Sequence, residues 1–131
     1  MDDAAIDGPE VVAEVRAAFE QYERDLVAND VERLVDWFWD DDRAVRYGID
    51  ECDVGHDAIA AFRRTQAVAT PARDLRRTII TAFGPDLATA NTEFAPHGSD
   101  AIGRQSQTWA RIDGRWRIVS AHVSWLSGRR P

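Results

Sequence analysis

An α+β fold, with helices first and a curved antiparallel sheet after them, is predicted by three features of the chain. Apolar residues recur at helical spacing up to about Gln66, they recur at a period of two from Arg73 onward, and short turn signals divide the second half into strands that must run antiparallel. With 131 residues, 44% of them hydrophobic, the chain suffices for one core of ordinary size. It is read as a single domain over residues 1–131, with the core between about 8 and 126.

Gly8-Pro9-Glu10 predicts a helix start, with proline at the first helical position and a carboxylate at the positive end of the helix dipole. Val11, Val15, Phe19, Tyr22 and Leu26 then fall on one stripe, so this helix runs to about Ala28 with Tyr22 on its buried face. Asn29 or Asp30 can cap a second, short helix with Val31, Leu34, Val35 and Phe38 turned inward, ended by the acidic run Asp40-Asp41-Asp42. Ala44-Val45-Arg46-Tyr47 alternates as a short strand, with Val45 and Tyr47 on one face and Arg46 on the other. A third helix is expected from about His56 to Gln66, limited by Pro71. Four strands follow, roughly 74–83, 87–95, 103–112 and 116–125, separated by Gly84-Pro85-Asp86, Pro96-His97-Gly98 and Asp113-Gly114.

Composition removes several classes of function. The formal net charge of −7 argues against a nucleic-acid or anionic-membrane surface, and no stretch approaches the ~20 apolar residues of a membrane span. The N-terminus lacks the basic flank and apolar run of a signal peptide, so a cytoplasmic location is expected. All 16 basic residues are arginine, so no lysine can form a Schiff base or carry pyridoxal phosphate or biotin. The guanidinium fork suits planar carboxylates. Cys52 is the single cysteine, which excludes an intrachain disulfide. The three histidines offer no closely spaced ligand pair, and Gly-rich phosphate loops are missing, so neither metal nor cofactor is expected.

Polar residues interleave with the strand positions: Asn91 with Glu93, Gln105 with Gln107, and Ser120 with His122 and Ser124. Each set shares a face, and one sheet face is expected to be a polar pocket wall; a solvent face or a subunit interface accounts for the same pattern. Tyr22 and Arg46 would bring a hydroxyl and a guanidinium into one cavity, although Tyr22 also reads as a core residue and Arg46 as a surface strand residue.

The ending Gly114-Arg115-Trp116-Arg117-Ile118-Val119 followed by Ala121-His122-Val123-Ser124 resembles the nuclear-transport-factor-2-like and SnoaL-like superfamily. Phe38-Trp39-Asp40-Asp41, Val45-Arg46-Tyr47-Gly48, Ala90-Asn91-Thr92-Glu93-Phe94 and Gly103-Arg104-Gln105-Ser106-Gln107-Thr108-Trp109 resemble, in that spacing, the AtzH-like family, relatives of the oxalurate-catabolism protein HpxZ. The resemblance runs from about Gly8 to Ser124. It implies a cone-shaped α+β barrel, a homodimer formed through the sheet, and a functional link to amidohydrolases that degrade ureides. One branch decarboxylates 1,3-dicarboxyurea to allophanate during cyanuric acid breakdown, using a tyrosine on the first helix and an arginine on the first strand. By motif position those roles fall on Tyr22 and Arg46.

The expectation is therefore a cofactor-free decarboxylase of a small anionic N-carboxy ureide. Arg46 would hold a carboxylate and Tyr22 would deliver the proton, while Gln105, His122, Glu93 and Ser124 would bind or support the ureide. Two other classes fit the same sequence: a non-catalytic ureide-binding or amidohydrolase accessory protein, and a different SnoaL-like reaction on a larger ring substrate, which would call for a mainly apolar cavity.

Overall fold

The computed structural model describes residues 1–66, 69–128 and 131. Helix α1 spans Pro9–Ala28, α2 Val31–Trp37 and α3 His56–Thr65; the strands are β1 Val45–Tyr47, β2 Cys52–Val54, β3 Arg73–Ala82, β4 Leu87–Pro96, β5 Gly103–Ile112 and β6 Arg115–Trp125. Pro9 occupies the first turn of α1, and Asn29 ends it in the left-handed conformation at φ 53°. Asp30 is the residue that caps α2, its Oδ1 accepting the Arg33 backbone N–H. That helix stops one residue earlier than its apolar spacing predicts, because Phe38 leaves the helix to bridge to Ile118 while the Trp39 N–H donates to the Ile118 carbonyl. The chain is thereby led alongside β6, and β1 joins β6 in parallel.

The sheet has the order β2-β1-β6-β5-β4-β3, antiparallel except at β1–β6. It does not close: β2 and β3 remain edges, and the three helices cover the concave side. Strand β2 is the one strand that the period-two pattern does not reveal, since three residues carry too little alternation. Curvature comes from two β-bulges. One lies between Arg76 and Ile79, where Arg77 takes a positive φ of 52°. The other lies opposite Thr108 and Trp109, where Val119 is the extra residue between Ile118 and Ser120.

Helix α1 lies over β3 and β4, where the inward residues Ala82, Ala88 and Ala90 are small enough to admit it. Its stripe of Val15, Phe19, Tyr22 and Leu26 packs with Leu34, Phe38, Ile59, Trp109 and Ile118 into one core. A buried polar joint fixes α1 to α2: the Asp25 carboxylate accepts from Gln21 Nε2 at 2.9 Å, Arg33 Nε at 3.1 Å and Trp37 Nε1 at 2.8 Å. Burial pushes the Asp25 carboxyl up, but the three hydrogen bonds together outweigh it and hold the group below its usual range. Among the described residues no helix is long and apolar enough to cross a membrane.

Candidate active site

A cavity of about 540 Å³ opens between the inner face of the sheet and the helices. Its apolar lining includes Leu26, Phe38, Phe62, Phe94, Val123 and Trp125, and its polar lining includes Tyr22, Arg46, Arg63, Gln66, Arg73, Gln105 and Gln107.

Tyr22 reaches the cavity from the fourth turn of α1 and is 3% exposed. Its ring is held edge-on by Phe38 and Trp109, with centroids 6.3 and 6.4 Å away. The hydroxyl oxygen accepts from Arg63 Nη2 at 3.0 Å. No described residue accepts the hydroxyl proton, so the O–H is free to donate into the cavity.

Arg46 is 8% exposed because the pleat of β1 turns Val45 and Tyr47 outward and Arg46 inward. Its guanidinium carbon lies 4.0 Å from the centre of the Phe62 ring. Nη1 donates to Glu51 Oε1 at 3.1 Å and to Asp53 Oδ2 at 3.0 Å, Asp53 being its partner across the β1–β2 hairpin. Gly48, in the turn, makes room for this: a Cβ there would collide with the Glu51 carboxylate and stand 2.9 Å from both Arg46 Nη atoms. Through Nε and Nη2, Arg46 makes no hydrogen bond to a described residue.

Gln105 belongs to a closed triangle. Arg73 grips the buried Glu23 through Nε at 3.2 Å and Nη2 at 2.7 Å, Nη2 also donates to Gln105 Oε1 at 2.9 Å, and Gln105 Nε2 donates back to Glu23 at 3.3 Å. The Arg73 guanidinium also stacks on Phe94, 4.1 Å from its centre. On the same face of β5, Gln107 lines the cavity and accepts from Trp109 Nε1 at 3.0 Å, which leaves its amide N–H₂ group without a described partner.

Three residues expected at the site lie on the other side of the sheet. Glu93 faces out and pairs with Arg76 at 3.7 Å and Arg77 at 3.4 Å. His122 is exposed and stands edge-on to Tyr47, 5.7 Å between centroids. Ser124 stands opposite Arg104 of β5, a residue of the outward face. The polar set of β6 therefore belongs to the convex face, and the expectation that it lines a pocket is corrected: the bulge at Val119 reverses the inward parity, so Ala121, Val123 and Trp125 face the cavity. On β4, inward Ala90, Thr92 and Phe94 leave Asn91 and Glu93 outside.

The cavity also brings in residues that were not expected. Arg63 reads as a basic residue favoured near a helix C-terminus, yet its spacing from Ile59 and Phe62 places it on the inward side of α3, a signal present in the sequence. Arg73 and Glu23 carried no comparable signal. A second concavity of about 510 Å³, between α2 and the β5–β6 hairpin, is lined by Glu32, Asp36, Asp40, Arg115 and Arg117. Its charges are largely engaged in exposed ion pairs such as Arg64–Glu32 and Arg115–Asp36, the pattern of a solvated surface. Among the described residues no three His, Cys, Asp or Glu side chains converge as metal ligands would.

The family model described as AtzH-like matches residues 4–129. A protein of unknown function of the DUF3225 family from Pectobacterium atrosepticum is 46% identical, with 96% of this chain and 98% of that one covered and a TM-score of 0.92. A cystatin-like fold protein from Burkholderia xenovorans is also 46% identical, over 92% of this chain and 95% of its own, with a TM-score of 0.88. An NTF2-like protein of unknown function from Pseudomonas putida shares the fold at a TM-score of 0.76 and 20% identity, covering 89% of this chain and 87% of that one. No curated protein matches the chain.

Proposed function

Because the chain belongs to the AtzH-like family and its cavity sets a tyrosine hydroxyl beside buried guanidinium groups, we propose that it is a cofactor-free carboxy-lyase acting on a small N-carboxy ureide, with 1,3-dicarboxyurea to allophanate as its reaction. The observation that carries this reading is the 3.0 Å bond from Arg63 to the Tyr22 oxygen, which leaves the tyrosine proton for another acceptor. In the reaction the C–N bond to one carboxylate breaks, its electron pair stays on nitrogen, and that nitrogen takes the Tyr22 proton as carbon dioxide departs. The resulting tyrosinate is held by the Arg63 hydrogen bond until solvent returns the proton. Such a step needs orientation and a proton, and no electron sink. Arg46 offers Nε and Nη2 to ligand oxygens, Gln107 offers an amide donor for the urea, Gln105 has one amide hydrogen beyond the one it gives Glu23, and the apolar walls suit the uncharged product carbon dioxide.

The test is carbon dioxide release from freshly generated 1,3-dicarboxyurea, followed against the spontaneous rate. Acceleration that is lost in Tyr22→Phe supports the reading. A rate equal to the spontaneous one overturns it, and ureide binding without turnover would then mark an accessory binding protein.

A further inference from the structure

Among the described residues three guanidinium groups line the cavity, and they differ in what balances them. Arg73 is matched one to one by Glu23. Arg46 is shared by two carboxylates, Glu51 and Asp53. Arg63 is 5% exposed and has no carboxylate within ion-pair distance among the described residues. Its hydrogen bonds go to neutral acceptors, the Tyr22 hydroxyl at 3.0 Å and Gln66 Oε1 at 3.4 Å, and its Nε is buried with no partner among the described residues. A guanidinium does not shed its proton, so it cannot escape the cost of burial by becoming neutral.

We propose that Arg63 is the charge anchor of the cavity and binds one carboxylate of the ligand, the one that is kept. This rests on the proposed decarboxylation and adds a division of labour to it. Arg46, overbalanced by Glu51 and Asp53, contributes directional hydrogen bonds and little net attraction. A carboxylate on Arg63 sits beside the Tyr22 hydroxyl that the same guanidinium holds, which fixes the remainder of the molecule against that hydroxyl. The second carboxylate then lies toward Phe62 and the overbalanced Arg46 stacked on it, without an unbalanced cation of its own, and is the one that leaves. The product retains a single carboxylate, which occupies Arg63, and so places no further carboxylate at Tyr22. The cavity accordingly holds its ligand through one carboxylate and stops after one loss.

Malonamide, malonamate and malonate form a non-reactive series of nearly constant shape carrying zero, one and two carboxylates. Calorimetric titration of the wild-type chain is expected to show malonamate binding roughly tenfold or more tighter than malonamide, as a charged hydrogen bond to a buried guanidinium implies. Malonate is expected to add little further. Arg63→Gln should erase the first step, and Arg63→Lys should restore part of it, because a point charge lacks the planar fork. Equal binding of malonamide and malonamate by the wild type overturns the proposal without recourse to any variant, and so does an Arg63→Gln protein that keeps the difference. Carbon dioxide release reports separately: a wild type that discriminates by charge but releases none leaves the anchor standing and removes the decarboxylase. Full turnover with unchanged KM in Arg63→Gln does the reverse.

Discussion

Arg63 of α3 and Tyr22 of α1, 41 residues apart in sequence, meet through a buried 3.0 Å hydrogen bond in which the guanidinium donates and the phenol oxygen accepts. The direction of that bond decides what the tyrosine can do, because an oxygen that accepts from a cation keeps its own proton for another acceptor.

Tyr22→Phe is therefore expected to leave the ring packed against Phe38 and Trp109 and to remove only the transferable proton. The turnover number should fall by about 10²–10⁴-fold, as for a lost general acid, with KM nearly unchanged. Steady-state carbon dioxide release, with the melting temperature measured alongside, checks it.

Arg46 carries structure as well as function. Arg46→Gln leaves the partly buried carboxylates of Glu51 and Asp53 without their shared cation, so it should lower stability by about 1–3 kcal/mol in addition to reducing turnover. Arg46→Lys should recover part of the stability and less of the turnover, because its ammonium is a point charge without the planar fork. Urea denaturation and kinetics on the same samples separate the two effects.

Residues of the convex face should be nearly silent in catalysis. Glu93→Gln, His122→Asn and Ser124→Ala are expected to change kcat/KM by less than about threefold, a difference below 1 kcal/mol in transition-state binding. A loss comparable to that of Tyr22→Phe in any of them would move the site to the other side of the sheet.

Asp25 sets an acid limit on the α1–α2 joint. Its folded-state carboxyl is held below the ordinary value of 3.8, so its contribution is fully present above that pH and is lost as pH falls through the lower folded value. Asp25→Asn should cost about 1–3 kcal/mol at neutral pH, and the gap to the parent should narrow below about pH 4. Melting temperatures measured from pH 7 down to pH 3 test the sign. A gap that widened with acidification would contradict it.

The convex face exposes Tyr47 (42%) and Ile79 (58%), apolar surface on a sheet with two open edges. A homodimer through that face would cover it. Light scattering is expected to give about twice the 14.7 kDa chain mass, and Ile79→Asp should shift the population toward the single chain.

The sequence by itself determined the order and kind of the elements, because helical and alternating periods are local properties of a chain. Pro9 starting α1, the capping carboxylate at Asp30 and the turns before β4 and β6 all lie where residue chemistry puts them. It also placed Tyr22 on the buried stripe and Arg46 opposite Val45 and Tyr47. It could not decide which parity of a long strand faces inward on both sides of a bulge. Alternation from Trp116 and Ile118 would carry His122 and Ser124 into the cavity, but the extra residue Val119 turns them out. Alternation back from Ala82 and Ile80 would carry Arg73 outside, but the bulge at Arg77 turns it in against Glu23. A bulge is a mismatch in count between two strands, so it belongs to the pair and is not written in either strand alone. For the same reason the charge state of the cavity was settled only by tertiary structure. Whether a guanidinium is balanced depends on which carboxylates the fold brings beside it, and here Arg46 receives two, Arg73 one and, among the described residues, Arg63 none.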